Sequence, residues 1–236
     1  MISPSFVRIP RSVASLTLAA LCGNACVEAG IIITNEEHSG AGNSFPVSNT
    51  DLLQTSLGSV ATTGSFGGFG GGTEAVLHDG LHGPSGAVGD GSNSAPSPGS
   101  QITFSLDLTA SPLGYHLSEI DTIASWDTGR DGQQYSVQYS TSADPDTFLA
   151  LATVPLFNPS QPAFDHAHTR IRLTDTGGVL ATDVAKLRFT FTSFENNGTA
   201  YREIDVLGAA VPEPSQYAAV VGLALAGFGV WRRARR

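Results

Sequence analysis

The sequence is poor in cysteine, lysine and basic charge, and each scarcity removes a class of chemistry. Its 236 residues hold two cysteines, Cys22 and Cys26, both near the N-terminus. The rest of the chain therefore has no disulfide framework, no thiolate metal site and no cysteine nucleophile. Lysine occurs once, at Lys186. The glycine-rich stretch 64–72 thus lacks the Gly-Lys-Ser/Thr ending of a phosphate-binding loop. No Gly-x-Ser-x-Gly nucleophile elbow is present either. Basic residues number 12 against 21 acidic ones. Setting aside Arg8, Arg11, Arg232, Arg233, Arg235, Arg236, Glu28 and Glu213 leaves six basic and 19 acidic residues, a net charge of −13 for 30–210. Such a surface repels phosphate backbones, which argues against nucleic acid as a partner.

Both ends read as targeting segments. Arg8 and Arg11 precede an apolar stretch, 13–25, too short to span a bilayer comfortably. Val27-Glu28-Ala29 places small residues at −3 and −1, so the expected signal peptide is 1–29, with a second candidate cut after Ala25. At the other end, Val211-Pro212-Glu213-Pro214-Ser215 leads into an apolar run, 217–231, and then Arg232-Arg233-Ala234-Arg235-Arg236. Two prolines keep the first part extended, and the arginine cluster favours a cytoplasmic C-terminus. At ~1.5 Å per residue the run covers about 22 Å, short of a ~30 Å hydrocarbon core, a gap that snorkelling arginines and local thinning close.

These three parts, in this order, resemble the PEP-CTERM sorting signal. The resemblance implies that Pro212, Glu213 and Pro214 form the recognition motif, that 217–231 is a transmembrane helix, and that 232–236 is a basic cytoplasmic tail. It also implies an exosortase-type processing enzyme as partner. The precursor would be anchored in the inner membrane, and the product would reach the cell surface or extracellular matrix.

The segment between the two ends, 30–210, has the length of one domain. Its period is two. Phe104 and Leu106, Tyr135, Val137 and Tyr139, Ile171 and Leu173, Leu187, Phe189 and Phe191, and Ile204 and Val206 each alternate with polar neighbours. Further strands are expected at 30–35, 120–126 and 148–154, and 83–100 reads as a long surface loop. No stretch keeps a helical period. About eight half-buried strands joined by Gly, Pro, Asn and Asp turns predict an all-β, two-sheet antiparallel sandwich of jelly-roll form.

The segments Trp126-Asp-Thr-Gly-Arg-Asp-Gly132, Tyr135-Ser-Val-Gln-Tyr-Ser140, Leu187-Arg-Phe-Thr-Phe191 and Tyr201-Arg-Glu-Ile-Asp-Val-Leu-Gly208 resemble galactose-binding-like, discoidin-type domains. The resemblance implies a jelly-roll sandwich and a sugar ligand. It also sets Glu203, with Asp79, where such domains often hold a structural calcium ion.

Taken on their own spacing, the other candidates point to no site. His78 and His82 lie in a loop, and His166 and His168 would share a strand face without a third ligand. Asp127 and Asp131 bracket a turn that imitates a calcium loop but lacks its spaced ligands. Trp126, Tyr115 and Tyr135 would stack on sugar rings only if exposed at a sheet end, whereas burial in the sandwich is the commoner fate. No cofactor, metal-ligand set or catalytic residue is assigned. The expected function is non-enzymatic binding or structure at the cell surface, with extracellular polysaccharide as the partner. A carbohydrate-binding module is one alternative. A polysaccharide hydrolase is another, requiring two carboxyls about 5 to 9 Å apart in a cleft.

Overall fold

Among the described residues, alternation of apolar and polar residues builds nine strands: β1 Ile31–Ser39, β2 Leu57–Thr63, β3 Gln101–Leu106, β4 Tyr115–Trp126, β5 Gln133–Thr141, β6 Leu149–Phe157, β7 Ala167–Asp175, β8 Ala181–Phe191 and β9 Tyr201–Ala210. The computed structural model describes residues 30–40, 44–68, 72–83, 92–126, 130–158, 167–192, 198–213, 228 and 230–235. The leader, Pro214 and most of the apolar run before Phe228 lie outside the described residues. In the tail, Phe228 and 230–234 are helical, and no helix among the described residues is long and apolar enough to cross a membrane.

All strand pairs are antiparallel. They resolve into a four-stranded sheet, β1-β7-β4-β9, and a five-stranded sheet, β6-β5-β8-β3-β2. The two join at one corner, where Tyr115 and Leu117 of β4 meet Val184 and Ala181 of β8. The fold is the expected all-β sandwich, with one strand more than the sequence suggested. The extra strand, β2, reads Leu-Gly-Ser-Val-Ala-Thr-Thr and lies at the sheet edge. Only Leu57 and Val60 pack against the core there, so its pattern is too weak to stand out.

The core fills the space between the sheets. Ile120, Ile171, Leu173, Ile204 and Val206 face Ile102, Phe104, Val137, Leu187 and Phe189, and none of the ten exposes any surface. Each such side chain contributes ~1.5–3 kcal/mol by leaving water. Tyr135 sits among Phe189, Phe191 and Tyr201 at ring separations of 5.9 to 6.4 Å. β9 closes on β4 through an irregular register at Leu117 and Glu119. Gly208 lies there because a Cβ would collide with the His116 carbonyl oxygen.

Two short helical turns depart from the all-strand expectation. α1, Leu52–Thr55, is capped by Asp51, whose Oδ1 accepts from the Leu53 N–H at 2.7 Å. A 3-10 turn, Glu74–His78, begins at Thr73. Leu52, Leu53 and Leu77 anchor these turns in the core.

Candidate functional site

The polar face of β9 is not in water. Tyr201, Ile204 and Val206 belong to the core, so Glu203 and Asp205 point to the other side of the four-stranded sheet. Yet Glu203 is 0% exposed and Asp205 3%. Segment 44–55 lies over them, since the Ser48 N–H donates to Asp205 Oδ2 at 2.8 Å and the Val206 N–H donates to Asp51 Oδ1 at 3.3 Å. Gln54 ties this strap to the 3-10 turn by donating from Nε2 to the His78 carbonyl at 2.8 Å. Phe45 completes the cover, with the Arg170 guanidinium 4.7 Å from its ring centre and the His38 ring stacked at 4.1 Å.

Beneath the straps, register sets charge beside charge. One row runs Thr34, Arg172, Asp121, Asp205 across β1, β7, β4 and β9. Arg172 grips Asp121 through Nε at 2.9 Å and NH2 at 2.8 Å, and reaches Glu119 at 3.0 Å. The next row runs Glu36, Arg170, Ile123, Glu203. Arg170 pairs with Glu36 at 2.7 Å and lies 3.7 Å from Asp121. Apolar Ile123 separates Glu203 from that arginine. Glu203 therefore faces carboxylates: burial, followed by Asp205, Asp79 and Asp51, pushes its pKa up to about 10. Burial also lifts Asp205 to about 7, against the opposing hydrogen bond from Ser48. Desolvation raises Asp51 as well.

Apart from the approach of Asp79 to Glu203, both carboxyl oxygens of Glu203, Oδ2 of Asp51 and Oδ1 of Asp205 are buried without a hydrogen-bond partner. Ionised oxygens left this way would be costly unless a cation met them, and without one the Glu203 carboxyl keeps its proton at neutral pH. Asp79 lies within hydrogen-bond reach of the Glu203 carboxyl and is itself exposed. The donor set is all hard oxygen, which suits calcium. Among the described residues no three His, Cys, Asp or Glu side chains form a ready-made cluster. A calcium ion here would rest on Glu203 and Asp79 and take its other ligands from backbone carbonyls and water. The structure brings together Glu203 and Asp79, the two side chains that the discoidin-type resemblance pairs.

The other sequence candidates fall elsewhere. Trp126, Tyr115 and Tyr135 are 5%, 2% and 1% exposed, which removes them as a sugar-stacking platform. Tyr135 instead shares a 2.8 Å hydrogen bond with Thr122, and Tyr115 donates to the Asp107 carbonyl at 2.9 Å. His78 closes the 3-10 turn with its ring 5.5 Å from that of Phe104. His168 is buried beside Ser125, with Nδ1 2.9 Å from the Ser125 oxygen, and its ring lies 5.6 Å from that of His82. Thus His82 meets His168 across the fold. Asp131 is buried, while Asp127 and His166 lie outside the described residues. Pro212 and Glu213 are exposed beyond the end of β9.

No protein-family profile matches the chain, and no curated protein does. Some solved structures are similar. A pectin-binding carbohydrate-binding module is 15% identical, with a TM-score of 0.40, 66% of this chain covered and 94% of that one. A family 32 module from C. perfringens NanJ in complex with galactose is 10% identical, with a TM-score of 0.41 and coverages of 72% and 98%. A Clostridium perfringens module in complex with glcNAc-alpha-1,4-galactose is 12% identical, with a TM-score of 0.38 and coverages of 66% and 92%. At these identities and scores the likeness carries no ligand over to this chain.

Proposed function

We propose that the chain is an exported, non-catalytic binding protein whose sandwich is delivered to the cell surface by its PEP-CTERM-type tail. The observation that carries this reading is where the fold stops relative to the motif. β9 ends at Ala210, the Val211 N–H donates to the Gly114 carbonyl at 2.9 Å, and Pro212 and Glu213 beyond it are exposed. A processing enzyme needs backbone that no sheet protects, and this arrangement supplies it next to the domain. An exosortase-type enzyme is the partner of Pro212-Glu213-Pro214, with 217–231 as the anchor and 232–236 as the cytoplasmic stop.

A non-catalytic role is favoured over a hydrolase by the position of the acidic groups. Burial raises the pKa of Glu203, but to about 10, well above the range of a working general acid. It is also wholly buried, so no sugar reaches it. Calcium held at Glu203 and Asp79 would supply positive charge that fastens the straps to β9. Extracellular polysaccharide is the proposed ligand, on the strength of the galactose-binding-like strand motifs. With the three aromatics buried, recognition falls to polar groups.

The intact mass of the product in a host carrying the sorting enzyme tests this proposal. The expected product lacks both 1–29 and the residues after the motif. A cell-surface product that keeps the arginine tail overturns it.

A further inference from the structure

The two sheets treat their outer faces differently. That of the four-stranded sheet lies under the straps described above. That of the five-stranded sheet stays partly exposed and has an unusual composition. Three rows of register run over it, through Lys186 on four strands and through Arg188 and Thr190 on all five. The middle row reads Ala61, Thr103, Arg188, Gln138, Ala150. In all three rows the remaining positions are Ser, Thr, Gln or Ala, of which Ser140 beside Lys186 is buried. The face measures about 19 Å across five strands and about 13 Å along them, from standard strand spacings.

No position in these rows is acidic, although residues 30–210 carry 19 acidic groups and a net charge of −13. Two of that segment's six basic residues are here, on one strand. Lys186 pairs at 3.0 Å with Asp146, whose side chain is 90% exposed, at the rim. A pair that open to solvent is weak and exchangeable. Arg188 is held in place, with its guanidinium 3.5 Å from the centre of the Phe148 ring and its Nε donating to Thr103 at 3.3 Å. That stacking fixes the plane of the guanidinium and turns a flexible cation into a positioned one.

We infer that this face is a binding site for a polysaccharide bearing sparse carboxylates. Hydroxyl and amide groups spaced over a broad surface match the hydroxyls of a sugar chain, and Lys186 with Arg188 matches an occasional carboxylate. The strongly negative domain disfavours a densely charged polymer at long range. The Debye length of about 8 Å at physiological salt leaves the local pair of cations to act. This rests on the reading of the domain as a polysaccharide-binding module, and adds the face and the charge class.

The test uses the full chain in detergent, immobilised, with gellan oligosaccharides as probe, whose repeat carries a single uronate among neutral sugars. The same oligosaccharides with the carboxyl reduced are the second probe. The inference expects binding to the first, and about tenfold weaker binding or less to the second. Lys186→Gln with Arg188→Gln should cut the first to the level of the second. Ser136→Glu keeps both cations and places a carboxylate on the face. It should also weaken gellan binding, while an unchanged melting temperature shows that the fold persists. Equal binding of the two probes overturns the charge assignment. Binding that ignores all three substitutions overturns the site while leaving a polysaccharide-binding module elsewhere on the domain. No binding to either probe overturns the site and the polysaccharide reading together.

Discussion

Arg172 and Asp121 face each other across β7 and β4, joined by two hydrogen bonds of 2.9 and 2.8 Å. Asp121 is 4% exposed and also lies 3.7 Å from Arg170. Asp121→Ala therefore leaves two arginines short of a partner under the straps. Breaking a buried pair from one side costs ~3–5 kcal/mol, and partial exposure of Arg172 reduces that to ~2–3 kcal/mol. Chemical denaturation should show this loss with an unchanged slope. A midpoint within error of the native one would place the pair in effective contact with water.

Calcium should stabilise the domain. An ion that binds only the folded state adds ~2.7 kcal/mol at a hundredfold excess over Kd. Melting curves in calcium should lie above those in chelator, and Glu203→Ala should remove the difference. Superimposable curves for the native protein would exclude the ion.

Without calcium, stability should fall as pH rises. Glu203 goes from its ordinary value of 4.5 to about 10 on folding, and Asp205 from 3.8 to about 7. The folded state thus holds more protons than the unfolded one between these limits, so the slope of unfolding free energy with pH is negative. The contribution of Asp205 is full below its unfolded value and is lost by about pH 7; that of Glu203 declines on towards about pH 10. A series of melts in chelator between pH 5 and pH 8.5 should show the decline, and Glu203→Gln should flatten it. Stability that rises over that range would contradict the buried carboxyl cluster.

The strands were legible because their inward residues are large and regularly spaced. Phe104, Leu187, Phe189, Ile171 and Ile204 announce the core by period alone, and all are 0% exposed. β2 was not legible, since an edge strand of Gly, Ser, Ala and Thr has little to bury. The site was half legible. Alternation placed Glu203 and Asp205 opposite Ile204 and Val206, as found. What it could not supply was the strap. Burial of a polar face depends on where 44–55 lies, and that is set by long-range bonds such as Ser48 to Asp205, 157 residues apart. The best local signal for the strap is Asp51 followed by Leu52-Leu53, an N-cap ahead of two apolar residues. The partnership of His82 with His168 had no signal in spacing at all, because separate loops and strands bring them together.

The most direct test concerns the tail. Pro212-Glu213-Pro214→Ala-Ala-Ala removes both prolines and the only charge between Asp205 and Arg232, and raises helix propensity just outside the apolar run. In a host with the sorting enzyme, the wild-type chain should lose its tail and leave the inner membrane. The variant should accumulate there at full tail length, as read by mass spectrometry of the membrane fraction. Equal trimming of both chains would contradict the sorting role of the motif.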